Sequence, residues 1–357
     1  MAAIDELFKE TKEQGASDLH LFVGFPPILR LKGEMVRTDR PILTDESNKK
    51  LIYEILSEDQ ISKIEKDRDL DLAYEIEGVA RFRCNILFAH RGIGAVFRII
   101  PTEILTLDQL NLPDVLRKIA EFRRGLVVVT GPTGSGKSTT LAAIIDHINK
   151  TRGAHILTIE DPIEFVHPNI KCLITQREVG SHTHSFANAL RMANREDPDI
   201  ILVGEMRDLE TISLALTCAS LGILVFGTLH TNSAPKTIDR IIDAFPSDQQ
   251  GQIRSMLGDS LAAVVAQQLL RTSNGSGRCA ANEILLGSPA LANLIREGKI
   301  SQITSLIQTG SGRGMQSMDH ALITLVKEGK ITAQTAYEKA YDKKLFAKKD
   351  SAEEEIG

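Results

Sequence analysis

The stretch Gly131-Pro-Thr-Gly-Ser-Gly-Lys-Ser138 matches the phosphate-loop pattern G-x-x-x-x-G-K-[ST] at every fixed position. In such a loop the glycines let backbone N–H groups turn inward around a phosphate, while the lysine adds a positive charge and the serine hydroxyl can ligate Mg²⁺. Residues 126–130 form an apolar run typical of a buried parallel strand, and residues 139–148 predict a helix whose N-terminus faces the phosphates. Strand, loop and helix follow in the required order, which makes a chance match a poor explanation. The residues that we expect to contact a nucleoside triphosphate are Gly131, Pro132, Thr133, Gly134, Ser135, Gly136, Lys137, Ser138 and Thr139.

Composition narrows the class of protein around this loop. The length of 357 residues predicts two or three domains, and the balance of 25% charged and 42% hydrophobic residues is typical of a soluble globular protein. A net charge of -5, no Trp and 4% aromatic residues provide neither a basic field nor many stacking surfaces for nucleic acid. We therefore predict no nucleic-acid partner.

Cysteine use and hydrophobic runs bear on the compartment. The four cysteines are widely spaced and form no C-x-x-C pair, which indicates neither a zinc module nor a disulfide framework and favours a reducing cytoplasm. No basic start followed by an apolar core opens the chain, and no run of about 18 apolar residues occurs in it. We expect no direct membrane insertion, so that any attachment to a membrane goes through a partner.

Hydrophobic periodicity predicts how the chain is organised. Residues 1–100 combine a short amphipathic helix with alternating strands and predict a small α/β domain, followed by a connector at 101–112. From residue 113 to 341, apolar runs alternate with longer helical stretches, as in a mostly parallel sheet covered on both faces. Within this region we predict a helix over 260–270 and another that begins at Ser288-Pro289, and we interpret 342–357 as a flexible charged tail.

Four of the strand-like runs end on polar residues. The phosphate loop follows the first, Glu160, Asp161 and Glu164 follow the second at 156–159, and Glu205 follows the third at 200–203. His230 follows the fourth, at 224–229. Because ligands of open parallel sheets lie at the carboxyl ends of the strands, we expect these clusters to converge on one nucleotide.

Phosphoryl transfer to water suggests a role for each of these residues. The third strand lacks the usual metal-supporting Asp at its end, so we assign Glu205 to the attacking water and Asp161 or Glu164, with Ser138, to Mg²⁺. Glu205 as an ordinary surface carboxylate is the alternative. His230 would sense the γ-phosphate, with a packed structural histidine as the alternative.

The boxes around these residues resemble the PilT family, the retraction ATPases of type IV pili within the secretion-ATPase superfamily. The boxes are Ile159-Glu-Asp-Pro-Ile-Glu-Phe-Val-His167, Ile201-Leu-Val-Gly-Glu-Met-Arg-Asp208 and Gly227-Thr-Leu-His-Thr231, and the resemblance extends from Ala16 to about Lys330. It implies a PAS-like N-terminal domain, a RecA-like ATPase domain, and a hexameric ring of identical chains under the inner-membrane pilus platform protein. On the matching positions it implies Glu164 and Glu205 as an acidic catalytic pair and His230 as the histidine-box residue.

The resemblance also implies arginines of the N-terminal domain that reach the nucleotide of a neighbouring subunit. The candidates here are Arg81, Arg83 and Arg98, for each of which a solvated strand face is the alternative. Alternative functions are an accessory paralogue resembling PilU, a pilus-assembly or type II secretion ATPase, and a nucleotide sensor with negligible turnover. Other pilus motor ATPases are also candidate partners.

One departure from the family pattern lies at 290–297. The retraction motif of the family reads A-I-R-N-L-I-R-E, whereas this chain has Ala290-Leu-Ala-Asn-Leu-Ile-Arg-Glu297, so that Ala292 stands in place of an arginine. Leu291, Leu294 and Ile295 have helical spacing and predict the buried face of a helix. We expect position 292 nearer its exposed side. The departure bears on the choice between a main motor and an accessory paralogue.

Overall fold

The computed structural model describes residues 3–31, 33–100, 103–275 and 277–346. It divides into two compact units. The N-terminal unit comprises Met1–Glu103 and Pro162–Val166, and the C-terminal unit comprises Ile104–Asp161 and His167–Gly357. Of the predicted tail, residues 347–357 lie outside the described residues.

The N-terminal unit contains one antiparallel sheet of six strands, in the order β3-β2-β1-β6-β5-β4. Its helices and strands are α1 (Ala3–Glu13), β1 (Asp18–Leu21), β2 (Ile28–Leu31), β3 (Glu34–Arg37), α2 (Asp45–Tyr53), α3 (Glu58–Asp67), β4 (Asp69–Ile76), β5 (Ala80–Ala89) and β6 (Gly92–Ile100). The alternation in β4 and β5 is that of strands with one face in the core.

Aromatic packing holds α1 against this sheet. Phe8 of α1 stacks on Phe82 with ring centroids 4.3 Å apart and meets Phe97 edge-on at 4.9 Å. All three rings are fully buried. Such pairs stabilise a core by about 1 kcal/mol each beyond the area they bury.

Residues 45–67 form two helices, α2 and α3, each with its own N-cap. Thr44 and Ser47 form a capping box at the start of α2, and Ser57 and Gln60 form another at the start of α3. The second N-cap forces a new helix to begin, because the cap residue has an extended backbone.

The C-terminal unit contains a seven-stranded sheet in the order β13-β12-β7-β11-β10-β8-β9. Its helices and strands are α4 (Val115–Ala120), β7 (Gly125–Thr130), α5 (Lys137–Thr151), β8 (His155–Glu160), β9 (Leu173–Glu178), α6 (Phe186–Ala193), β10 (Ile200–Val203), α7 (Leu209–Ser220), β11 (Leu224–Leu229), α8 (Ala234–Asp243), α9 (Gln250–Ser260), β12 (Leu261–Arg271), β13 (Arg278–Leu286), α10 (Pro289–Arg296), α11 (Ile303–Thr309), α12 (Met318–Lys327) and α13 (Ala333–Lys339). Among these strands only β13 runs antiparallel to its neighbour.

Apolar clusters cover both faces of this sheet. Every residue of β7, β10 and β11 is buried, as a strand between two helical layers requires. Leu107 and Leu112, from the stretch predicted as a connector, pack into one of the two clusters. Since β7, β8, β10 and β11 are mutually parallel, their carboxyl ends lie at one edge. The predicted mostly parallel sheet is confirmed.

The prediction of a helix over 260–270 is wrong. Residues 261–271 form β12, which pairs with β7 on one side and β13 on the other. The run Leu261–Ala266 contains no polar residue, and a segment without a polar face gives no periodicity to distinguish a strand from a buried helix. This segment forms a strand because it lies between β7 and β13 in the sheet.

Within the described ranges, none of the helices combines the length and the apolar character needed to cross a bilayer.

Candidate functional site

The phosphate loop connects the buried strand β7 to helix α5, as predicted. Gly134 and Gly136 have φ of +77° and +84°, a left-handed conformation that glycine adopts without strain. Gly131 is needed for close approach, because an added Cβ would lie 2.3 Å from the Gln267 carbonyl oxygen. Helix α5 begins at Lys137, so that the backbone N–H groups of its first turn are available to an anion.

Lys137 folds back over the loop. Its Nζ donates to the carbonyl oxygens of Gly131 at 2.8 Å and Pro132 at 3.2 Å. Burial lowers the pKa of the Lys137 ammonium, while the Glu205 carboxylate acts to raise it. The amine thus occupies the mouth of the loop, where a phosphate would replace the two carbonyl groups as its partner.

Glu205 follows β10 and lies between two basic side chains. Its Oε1 is 2.7 Å from Nε of Arg207 and 3.1 Å from Nε2 of His230. Burial acts to raise the pKa of Glu205, but the hydrogen bond and charge of Arg207, together with His230, outweigh it and lower the pKa. Glu205 is therefore an ionised carboxylate at neutral pH, and it can orient water or accept a proton from it.

His230 directly follows the buried strand β11. Its side chain is 45% exposed and contacts Glu205, so the alternative of a packed structural histidine is wrong. The next residue links this strand end to the phosphate loop: Thr130 Oγ1 donates to the Thr231 carbonyl oxygen at 2.6 Å. Three neighbouring strands, β7, β11 and β10, therefore bring Lys137, His230 and Glu205 to one edge.

The remaining acidic candidates differ in position. Asp161 follows β8 in the C-terminal unit, is exposed, and acts electrostatically on Arg207. Glu160 is buried and accepts hydrogen bonds from Thr158 at 2.7 Å and Gln176 at 3.2 Å. Glu164 belongs to the N-terminal unit, where its Oε1 lies 3.7 Å from Arg83 Nη1. Its pairing with Glu205 stays a prediction.

The three candidate arginines share one face of the N-terminal sheet. Arg83 and Arg98 are opposite each other on β5 and β6, and Arg81 is two residues from Arg83. Arg81 pairs with Glu75 at 3.0 Å and is only 15% exposed. Arg98 pairs with Asp18 at 2.8 Å, yet 68% of its side chain is exposed. Arg83 and Arg98 are thus more accessible than Arg81.

Two residues of the second box, Arg207 and Asp208, have roles that sequence reasoning did not assign. Arg207 holds the Glu205 carboxylate in place, and Asp208 caps α7 by accepting a hydrogen bond from the Thr211 backbone N–H at 2.8 Å. An acidic residue directly before a helix is a recognisable capping signal, whereas nothing in the spacing indicates that Arg207 turns back onto Glu205.

Helix α10 carries the departure from the retraction motif. Ser288 caps it and Pro289 opens it, as predicted, and Leu291 and Ile295 are fully buried. The prediction that position 292 lies on the exposed side is wrong, because Ala292 is 8% exposed. It packs on α9, where a Cβ added to Gly258 would lie 3.1 Å from the Ala292 carbonyl oxygen. The small residues let the two helices approach closely.

Comparison with known proteins agrees with this geometry. The family model described as "Type II/IV secretion system protein" matches residues 1–337. The type IV pilus retraction ATPase PilT of Pseudomonas aeruginosa is 54% identical over 337 residues, which cover 94% of this chain and 98% of that protein. The chain belongs to the PilT family.

Two further relatives extend the comparison. The type IV pilus ATPase PilU of Pseudomonas aeruginosa is 40% identical to this PilT-family chain over 93% of it and 87% of that protein. The crystal structure of the pilus retraction motor PilT with bound ADP superposes with a TM-score of 0.89 at 47% identity, covering 95% of this chain and 97% of that one. This PilT-family chain is therefore a nucleotide-binding ATPase, and the predicted fold class of an N-terminal α/β domain followed by a P-loop ATPase domain is confirmed.

Proposed function

We propose that this PilT-family ATPase powers the retraction of a type IV pilus, and hence twitching motility, by coupling ATP hydrolysis to pilin disassembly. The observation that carries the proposal is the convergence of Lys137, Glu205 and His230 at the ends of adjacent strands, which is an arrangement suited to turnover as well as binding. The sequence identity of this chain to the retraction ATPase PilT, 54%, is also higher than its identity to PilU, 40%.

The chain's own residues supply most of the chemistry. Backbone N–H groups of the phosphate loop and the first turn of α5 bind the phosphates, and Lys137 leaves its two loop carbonyls to contact the β- and γ-phosphates. Glu205, oriented by Arg207, positions the attacking water and accepts its proton. His230 contacts Glu205 directly, so that it can transmit the presence of the γ-phosphate to the loop after β11.

We assign Mg²⁺ to Ser138 and Asp161 of the C-terminal unit, and a role for Glu164, which belongs to the N-terminal unit, stays a prediction. The Ser138 and Asp161 side chains belong to exposed residues and offer the oxygen donors that Mg²⁺ prefers. Glu160, in contrast, is buried and engaged by Thr158 and Gln176, which makes it a poor ligand. Bound Mg²⁺ would neutralise charge on the β- and γ-phosphates.

We further propose that the active form is a ring of six identical chains in the cytoplasm, held at the inner membrane by the pilus platform protein. Arg83 or Arg98, and less readily Arg81, would complete the nucleotide site of the adjacent subunit. Their exposed face on the N-terminal sheet supports this role, since an arginine that acts in trans must extend beyond its own subunit.

Deletion of the gene in the organism that carries it tests the proposal. We expect piliated cells that no longer twitch, with motility restored by the wild-type chain and not by Lys137→Ala. Pilus number on the surface and the width of the twitching zone are the measurements.

The other outcomes contradict the proposal in different ways. Loss of surface pili would indicate an assembly or secretion ATPase, and only partial loss of twitching would indicate an accessory paralogue. Restoration by Lys137→Ala would indicate a function that needs no turnover.

A further inference from the structure

Gln267 of β12 is a buried polar residue beside the phosphate loop. Its side chain is 2% exposed, and both ends of the amide are engaged. Nε2 donates to the Ser135 carbonyl oxygen at 2.7 Å, and Oε1 accepts from Thr140 Oγ1 at 2.8 Å and from Asn282 Nδ2 at 2.9 Å. Since the Ser135 carbonyl can only accept, the NH₂ end of the amide must face the loop.

The sheet places Gln267 level with the start of the loop. In the parallel pair of β12 and β7, Ala266 is opposite Thr130, so Gln267 is level with Gly131. The loop passes so close to the Gln267 backbone that only glycine fits at position 131. A Cβ added to Gly136 would in turn lie 3.0 Å from Gln267 Nε2. The Gln267 backbone thus lies against the start of the loop, and its side chain lies against the end of the loop.

The bond to Ser135 has a directional consequence. In a trans peptide the carbonyl of one residue and the N–H of the next point to opposite sides. Because Gln267 holds the Ser135 carbonyl toward β12, the Gly136 N–H points away from β12. Inward-pointing N–H groups are what a phosphate loop offers to its ligand.

The bond from Thr140 adds a second connection. Thr140 lies in the first turn of α5 and is 2% exposed, so its hydroxyl is held in place. The Gln267 amide therefore fixes the orientation of the Ser135 peptide and, through Thr140, the position of the helix N-terminus that follows the loop. These are the two elements that bind phosphate in this fold.

We infer that Gln267 is a positioning residue of the nucleotide site, which holds the phosphate loop in its binding conformation through Ser135 and Thr140. The inference rests on the proposed nucleotide site at the phosphate loop. Without the Gln267 anchor, the Ser135 peptide would be free in the empty loop and would have to become ordered when nucleotide binds. The affinity for nucleotide would fall by the free energy that this ordering costs.

Substitution of Gln267 tests the inference through affinity. With Gln267→Leu we expect the dissociation constant for ADP, measured with a fluorescent ADP analogue, to rise about tenfold or more, because one loop peptide loses its anchor. KM for ATP should rise with it, and kcat should change less. The measurement is made well below the unfolding temperature of each variant, so that a loss of stability alone does not change the affinity.

The adjacent residue provides a matched control. Gln268 is the same residue type on the same strand, but its side chain points to the opposite face of the sheet. Gln268→Leu should bind ADP within about twofold of the wild type, and a rise equal to that of Gln267→Leu would overturn the inference.

Two further variants keep the test decisive if Gln267→Leu does not fold. Gln267→Glu keeps the shape but replaces the donor that faces Ser135 with an acceptor, and it should weaken ADP binding at least as much. Thr140→Val removes the helix connection alone and should give a smaller loss. Wild-type affinity in both variants would contradict the inference, whereas failure of the wild-type chain to bind ADP would contradict the proposed nucleotide site itself.

Discussion

The six-stranded sheet of the N-terminal unit and the seven-stranded sheet of the C-terminal unit carry their charged side chains in different places. In the antiparallel sheet, charges line one face in register across four strands, with Arg30, Asp18, Arg98 and Arg83 side by side. In the parallel strands, residues 125–130, 200–203 and 224–229 are buried throughout, and the charges stand only beyond their ends.

The difference follows from what covers each sheet. A sheet with one solvated face can present a row of charges along its strands, whereas a sheet between two helical layers can expose a polar side chain only where a strand stops. The first arrangement suits contacts with another molecule, and the second suits a compact site for one ligand. Substitutions in the two sheets should therefore impair ATP hydrolysis in different ways.

The largest effect is expected at the end of a parallel strand. Lys137→Ala should abolish measurable ATP hydrolysis, because the β- and γ-phosphates lose the cation held in the mouth of the loop. Lys150→Ala at the far end of α5, where the lysine pairs with Asp146, is the matched control and should stay within about twofold of the wild type. Steady-state phosphate release measures the turnover of both variants. Undiminished turnover of Lys137→Ala would contradict the assignment of the nucleotide site to this edge of the parallel sheet.

A smaller effect is expected at the end of β10, two strands away from β7 in the sheet. Glu205→Gln should still bind ATP, while turnover falls about a hundredfold or more, since the amide cannot accept the proton of the attacking water. A hundredfold corresponds to about 2.7 kcal/mol of transition-state stabilisation. Nucleotide affinity and single-turnover hydrolysis are measured on the same sample, and a parallel fall of both would make Glu205 a metal ligand or a structural residue.

The smallest effect is a partial recovery of ATPase activity in a mixture of inactive variants, which tests the arginines of the antiparallel sheet. Inactive Lys137→Ala chains are mixed one to one with chains made inactive by Arg83→Ala or Arg98→Ala. If an arginine acts in trans within a ring, about a quarter of the interfaces combine an intact lysine with an intact arginine, and activity returns to about that extent. Arg81→Ala should recover least, because Arg81 is mostly buried beside Glu75. If none of the three arginine variants recovers activity, the proposal that an arginine of one subunit completes the nucleotide site of its neighbour is contradicted.

Local sequence was sufficient for the elements whose signal lies within a few neighbouring residues. The phosphate loop, the strand before it and the cap of α10 were all predictable, because fixed spacing and capping chemistry act over one turn of chain. The convergence of Lys137, Glu205 and His230 was also predictable, since parallel strands must present their carboxyl ends at one edge.

Long-range packing decided the features that sequence reasoning missed. The β12 strand and the burial of Ala292 depend on which elements come to lie against them, and a short apolar run or a single alanine carries no signal of that. The same is true of Arg207 on Glu205, which depends on how the chain turns after β10.

The sequence by itself determined that this chain binds a nucleotide at a parallel sheet edge, because the residues that do so are contiguous or stand at strand ends. Only the tertiary structure decided what holds that site in shape. Gln267 meets Ser135 across 132 positions of chain, and Thr130 meets Thr231 across 101. A hydrogen bond between residues so distant leaves no trace in local pattern, since its geometry exists only when β7 lies between β12 and β11.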